Sequence, residues 1–289
     1  MPTDHSDDPQ RSDAMLQVRE LRKTYEVGND AIEAIRSLTF DVHAGELVCI
    51  VGPSGAGKTT LLRSLAGLLA PSGGSAELDG EQITEPPKGM AVVFQEYARS
   101  LFPWLTVAQN VGLPLKAQGI DRATRAAKTA KALDAVHLSD VANRYPWQLS
   151  GGMQQRVALA RAVAYEPRIL LMDEPFAAVD AQTRADLEDL VRDLWARLGL
   201  TVLFVTHDID ESIYLGQRVL VLSNRPTEIL DDIPIGLPAQ RDQLTTRNEP
   251  EFARLRAHVY ERVQQAKAGV RPGELNQRRD ETRAKEGQR

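Results

Sequence analysis

A chain of 289 residues, 42% hydrophobic and 26% charged, can form one large or two modest domains with a real core. Its net charge of −5 gives no overall basic footprint, which argues against nucleic acid as a partner. Cys49 is the one cysteine, which excludes a disulfide framework and points to a reducing compartment, and no apolar run approaches the roughly 18 residues that a bilayer span requires.

Residues 1–14 are polar, lack an apolar signal core and are expected to be disordered, so the chain should stay in the cytoplasm unless a partner holds it. Leu16-Gln17-Val18 alternates as a strand. Leu38-Thr39-Phe40-Asp41-Val42 does so more clearly, with Leu38, Phe40 and Val42 on one face. The two segments read as a small antiparallel sheet leading into the core. Tyr25, just after Arg22-Lys23-Thr24, is read as lying between these strands, either covering the sheet edge or stacking on a base.

The stretch that organises the chain comes next. Leu47-Val48-Cys49-Ile50-Val51 reads as a buried strand, with Cys49 as a small hydrophobe within it. Leu61, Leu62, Leu65, Leu68 and Leu69 are spaced as one face of a helix. Between them, Gly52-Pro53-Ser54-Gly55-Ala56-Gly57-Lys58-Thr59-Thr60 matches G-x-x-x-x-G-K-[ST] at every fixed position. A glycine-rich turn at a strand-to-helix junction aims backbone N–H groups into a concavity, and the helix N-terminus adds partial positive charge. Lys58 supplies a full charge for the β- and γ-phosphates, and Thr59 a hydroxyl for Mg²⁺. The loop predicts a nucleoside triphosphate without saying what its energy drives.

Pro71-Ser72-Gly73-Gly74-Ser75 is read as a turn, and Asp79-Gly80 as the tip of a hairpin. Ala91-Val92-Val93-Phe94 is a buried strand ending at Gln95. In open α/β sheets ligands sit at that edge, where a glutamine reaches a metal-bound water; taken alone, Gln95 is a surface residue. From about 97 to 160 strand signals disappear, and a mostly helical insertion opens on the aromatic knot Leu101-Phe102-Pro103-Trp104-Leu105, which serves either as helical core or as a docking surface. The insertion closes at Leu149-Ser150-Gly151-Gly152-Met153. There a second Ser-Gly-Gly turn opens onto a helix N-terminus, a second device for binding an anion.

Ile169-Leu170-Leu171-Met172 is a buried strand ending in Asp173-Glu174. Near a triphosphate, the first carboxylate suits a Mg²⁺ ion, usually through water, and the second suits orienting or deprotonating the attacking water. Asp180 precedes an amphipathic helix through Leu187, Leu190, Leu194 and Trp195. Thr201–Val205 is a further buried strand; it runs into Thr206-His207-Asp208, which places His207 beside the other candidates as a γ-phosphate contact. Val219–Leu222 is another strand.

Together these pieces resemble the ATP-binding cassette (ABC) ATPases over about residues 16–225. The most specific element is Leu149-Ser150-Gly151-Gly152 with Gln155-Arg156, followed by the Asp173-Glu174 strand. The resemblance implies an α/β fold: a P-loop NTPase (RecA-like) core, an N-terminal antiparallel β subdomain and an inserted α-helical subdomain. It implies that Tyr25 stacks on adenine, that Gly52–Thr60 holds the phosphates of ATP, and that Gln95 senses Mg²⁺ and the γ-phosphate. It further implies that the turn Ser150-Gly151-Gly152 meets ATP on the opposite protomer, that Asp173 supports the metal, and that Glu174 is the catalytic carboxylate. Asp180 then communicates across the dimer, and Lys58 and His207 contact the reacting phosphates. Two copies would pack head to tail, each signature turn stabilising transition-state charge in trans.

Within that family the chain resembles importer subunits for nitrate, sulfonate or taurine, on Leu101–Val107, Tyr145-Pro146-Trp147-Gln148-Leu149, Asp173-Glu174-Pro175-Phe176 and Asn248–Val263. The last segment is by itself a short helix, with Pro250 in its first turn and Phe252, Leu255, Val259 and Val263 on its apolar face. Met153 stands where the commonest signature has glutamine, and Ala177-Ala178-Val179-Asp180 lacks the serine frequent before that aspartate. The resemblance implies a homodimer on the cytoplasmic side of the cell membrane, docked beneath integral-membrane permease subunits and served indirectly by an extracytoplasmic solute-binding protein. No nucleic acid is expected. The expected division is an ATPase domain over 15–225 with the helical insertion at about 97–160, an extension over 226–269 and a solvated tail over 270–289. The rival is a soluble ABC ATPase acting on nucleic acid or ribosomes, which would need a long coiled-coil insertion or a second cassette. Only one phosphate loop is present, with no sustained heptads.

Overall fold

The computed structural model describes residues 14–28, 30–96, 100–272 and 274. The expected disordered N-terminus, apart from Ala14, and most of the expected tail lie outside the described residues.

Two long strands, β1 (Ala14–Val27) and β2 (Asp30–His43), form an antiparallel ribbon. β3 (Leu47–Val51) leads into α1 (Lys58–Leu65), and β4 (Gly73–Leu78) and β5 (Glu81–Gln82) form a hairpin beside β1. β6 (Met90–Val93) precedes the helices α2 (Val107–Ala117), α3 (Arg122–Ala135) and α4 (Gly151–Ala164). Then come β7 (Ile169–Asp173), α5 (Ala181–Leu198), β8 (Thr201–Val205), α6 (Ile209–Leu215), β9 (Arg218–Leu222), β10 (Thr227–Pro234) and α7 (Pro250–Lys267). The strands among the described residues make one sheet in the order β5-β4-β1-β2-β10-β9-β3-β8-β7-β6. Its β9-β3-β8-β7-β6 half is parallel, and its β1, β2, β4 and β5 members pair antiparallel.

The parallel strands are apolar throughout because both their faces are covered. Along β3, Leu47, Cys49 and Val51 pack with α4, α5 and the insertion, while Val48 and Ile50 pack with Leu61, Leu62 and Leu65 of α1. β7 and β8 split in the same way: Leu170, Met172, Val202 and Phe204 face one layer, and Ile169, Leu171, Leu203 and Val205 the other. The parallel half of the sheet is therefore covered on both faces, with the antiparallel strands joining α1 on one of them, and the loops at the parallel strands' C-termini share one edge.

Three readings are corrected. Tyr25 is not between strands but within β1, paired with Ile32 of β2. Register shifts between Val18 and Thr24 break the period-two pattern there, so alternation understates the strand. Gly73-Gly74-Ser75 belongs to β4 rather than a turn; a side chain at Gly74, whose φ is +72°, would strike the Glu20 carbonyl at 2.1 Å, so the close β1–β4 approach demands glycine. Past residue 225 the chain still builds the sheet: β10 joins β9 to β2. Val270 packs near Leu230 and Ala266, and Arg271 Nη1 donates to the Pro226 carbonyl at 2.5 Å, so the first residues of the expected tail are engaged with the fold. No helix among the described residues is long and apolar enough to cross a membrane.

Candidate nucleotide site

β3 ends inside the sheet, and the chain must turn at once to start α1. Gly55 and Gly57 take φ of +78° and +76°, in the left-handed region that glycine alone enters freely. A side chain at Gly57 would also come within 3.3 Å of the Thr227 hydroxyl. Gly57 caps α1 without a side-chain hydrogen bond, and no acid lies in the first turn. The first N–H groups of the helix are thus left for an anion.

A cavity of about 710 Å³ opens over this turn, lined by all of Gly52–Thr60 together with Gln95, Glu174 and His207. Lys58 is buried, and its Nζ donates to the carbonyls of Gly52 (3.0 Å) and Pro53 (3.2 Å) and lies 3.6 Å from Glu174 Oε1. Burial pulls the ammonium below its ordinary pKa, against the nearby Glu174 charge. Thr59 Oγ1 donates to Asp173 Oδ1 at 3.3 Å. Asp173 is buried at the end of β7, and burial pushes its carboxyl upward although the Thr59 hydroxyl opposes this.

Glu174 follows with a φ of +44°, uncommon for a residue with a side chain. Its N–H donates to the Val205 carbonyl, which anchors it to β8, and its Oε2 lies 3.0 Å from His207 Nδ1. β7 and β8 are neighbours, so their C-terminal ends deliver the carboxylate and the imidazole to the same point. Tyr25 stands at the near side, its hydroxyl 3.2 Å from Thr60 Oγ1 and Lys23 Nζ 5.3 Å from its ring centroid.

The donor set fits a magnesium–triphosphate unit: oriented N–H groups, one ammonium, a hydroxyl paired with a carboxylate, and a second carboxylate held by an imidazole. No group of three or more His, Cys, Asp or Glu able to hold a metal exists among the described residues. A divalent ion here would therefore rely on Thr59, Asp173, Gln95 and the oxygens of the nucleotide itself.

Ser150, Gly151, Gly152 and Asp180 do not line this cavity. Ser150 caps α4 and accepts from the Met153 N–H at 3.3 Å; Asp180 caps α5 and accepts from the Thr183 N–H (3.0 Å) and hydroxyl (2.7 Å). Those bonds hold the Asp180 carboxyl below the usual range. The two caps are neighbours, since a side chain at Gly152 would meet Thr183 Cγ2 at 2.4 Å. On the helical insertion, Tyr145 stacks on Trp147 at 6.0 Å, and Phe102 meets Trp104 edge-on at 5.4 Å; Trp104 and Trp147 are 70% and 69% exposed.

Residues 35–177 match the ABC transporter family. The nitrate import ATP-binding protein NrtD of Synechocystis sp. is 42% identical over 242 residues, covering 82% of this chain and 90% of that protein. The chain belongs to the ABC transporter family, as one of its ATP-binding proteins. The taurine import ATP-binding protein TauB of Roseobacter denitrificans is 39% identical over 248 residues, 84% of this chain and 92% of its own. A solved dimer of the ATP-binding cassette MJ0796, in a post-hydrolysis state bound to ADP and Pi, superposes with a TM-score of 0.68 at 33% identity, covering 78% of this chain and all of that one. The expected α/β P-loop cassette is thus the fold, and the chain is an ABC-type ATP hydrolase that binds adenine nucleotide.

Three further residues line the ABC protein's cavity and were not anticipated: Arg225, Val263 and Lys267. Arg225 lies in the loop between β9 and β10, and the other two lie one helical turn apart on α7. The spacing of Val263 and Lys267 marks a shared helix face, but nothing local ties that face to the glycine-rich turn.

Proposed function

We propose that this chain is the ATP-hydrolysing subunit of a bacterial ABC importer and energises uptake of a small solute of the nitrate, sulfonate or taurine type through a separate permease. One observation carries the catalytic part: Lys58, Thr59 and the Glu174–His207 pair line a single cavity, with Asp173 held by the Thr59 hydroxyl just behind it. In this reading Gly52–Thr60 and Lys58 hold the triphosphate, while Thr59, Asp173 and Gln95 hold Mg²⁺, which supplies charge neutralisation at the phosphates. Glu174 orients or deprotonates the attacking water, His207 contacts the γ-phosphate, and Tyr25 stacks on adenine.

Ser150-Gly151-Gly152 and Asp180 act across a head-to-tail homodimer, which is supported by their position outside the chain's own cavity and by the dimeric state of the MJ0796 cassette. The exposed aromatic pairs around Trp104 and Trp147 receive the permease on the cytoplasmic face of the membrane. The import direction is supported by the nitrate and taurine proteins that the chain resembles over most of its length.

The test is recovery of tagged chain from detergent-solubilised membranes. An integral-membrane polypeptide should accompany it in an ATP-hydrolysing complex, and Trp104→Ala with Trp147→Ala should release it. Recovery only from the soluble fraction, bound to ribosomes or nucleic acid, would replace this reading with the non-transport one.

A further inference from the structure

A further part of the cavity wall comes from the chain beyond residue 222, through Arg225, Val263 and Lys267. Thr227 Oγ1 donates to the Ala56 carbonyl at 2.5 Å, which fastens the start of β10 to the glycine-rich turn. Arg271 Nη1 donates to the carbonyls of Pro226 (2.5 Å) and Asn224 (3.3 Å), which fastens the end of α7 to the same loop. Arg262 Nε donates to Asp231 Oδ2 at 2.8 Å and so holds α7 against β10. This scaffold carries Arg225 and Lys267 to the cavity, with buried Val263 one turn before Lys267.

Both cations are exposed, and neither side chain pairs with an acid among the described residues. The described lining holds three fixed cations, Lys58, Arg225 and Lys267, against one carboxylate, Glu174, which is already engaged by Lys58 and His207. Such an excess of positive charge on the wall of a concave site suits a polyanion, and the anion this cavity is read to take is a nucleotide polyphosphate.

We propose that Arg225 and Lys267 are nucleotide-binding residues, part of the wall of the polyphosphate site, contributed by the β9–β10 loop and the C-terminal helix. The inference rests on the reading of this cavity as the ATP site. It makes α7 part of the binding site rather than an appendage: its last turn meets the phosphates, and the Arg271 and Thr227 contacts keep it in register with the glycine-rich turn.

The test is calorimetric titration of the full chain with MgATP and with MgADP. Arg225→Gln and Lys267→Gln should each weaken binding roughly threefold and the pair about tenfold, as expected of solvent-exposed charge contacts, and the loss should shrink as salt is raised. Lys267→Arg should bind as wild type. Lys58→Ala serves as the control for the cavity itself. If the folded double variant binds both nucleotides at wild-type affinity while Lys58→Ala loses them, this inference fails and the cavity reading stands. If Lys58→Ala also binds as wild type, the cavity reading falls first. Unchanged affinity combined with weaker ATP-driven self-association would overturn the proposal in favour of a contact with the second copy.

Discussion

The two glycine-rich turns of this protein have the same sequence logic and opposite surroundings. The turn at Gly52–Thr60 is walled in: Lys58 and Asp173 are buried, and Glu174, His207, Arg225 and Lys267 close a cavity around it. The turn at Ser150-Gly151-Gly152 also opens a helix, yet Ser150 and Gly151 are exposed and lie outside the lining of the nucleotide cavity. Its built neighbour is the other cap, Asp180 with Thr183, which packs against Gly152. A complete wall and an open counterpart on one molecule are what a head-to-tail pair requires, because each copy offers the half that the other lacks. The contrast predicts different consequences of substitution on the two sides.

The largest effect belongs to Lys58. Lys58→Ala removes the buried ammonium at the centre of the walled side, and ATP affinity should fall by about 10²-fold or more, the scale of losing a buried charge contact. Equilibrium titration measures this, and an unchanged Kd would remove Lys58 from its role. Glu174→Gln comes next. It keeps the shape and the His207 neighbour but not the carboxylate, so ATP binding should persist while turnover drops ~10²–10³-fold. An ATP-bound dimer should then accumulate on gel filtration; hydrolysis near the wild-type rate would refute the assignment.

On the open side, Ser150→Arg should leave ATP affinity of the separate chain nearly unchanged and depress turnover of the pair. In mixed dimers carrying one such copy, one of the two sites should fail. Two competent sites would refute the head-to-tail arrangement. Ser150→Ala separates capping from catalysis, since loss of the cap alone costs about 1 kcal/mol of stability.

The contrast was partly legible from residues alone. Both turns stand out because a helix N-terminus needs N–H groups in the open and glycine supplies the backbone freedom, and that chemistry is written in consecutive residues. The strands β3, β7 and β8 were legible for a different reason: burial on both faces leaves nearly continuous apolar runs. What stayed hidden depends on distant pairing. The outer half of the β1–β2 ribbon is disguised by register shifts, so Tyr25 read as a loop residue. Arg225 and Lys267 reach the cavity only because Thr227 and Arg271 bring a loop and a helix end together from positions 45 residues apart, as in the Arg271–Pro226 bond. No local pattern encodes such a bond.

A last effect, read in stability rather than in binding or turnover, sharpens the contrast by titration. Glu211, on α6 just after His207, is buried, and its carboxyl is pushed from 4.5 up to about 8, chiefly by burial and further by Glu188 and Asp208, against the Thr206 hydroxyl and Arg184. Below about pH 4.5 the group is protonated in both the folded and the unfolded chain. As pH rises toward about 8 the unfolded carboxyl ionises while the folded one stays neutral, so stability is full at low pH and is lost across that window. The loss is of order a few kcal/mol. Glu211→Gln should flatten the dependence: melting should match wild type near about pH 5 and lie higher near about pH 8, as followed by thermal unfolding across pH. The open side offers no counterpart in this window, because the exposed Asp180 carboxyl is held below its ordinary range by Thr183 and stays ionised throughout. A pH dependence that survives Glu211→Gln unchanged would therefore have to come from another group, and the buried neutral carboxyl behind His207 would not be its source.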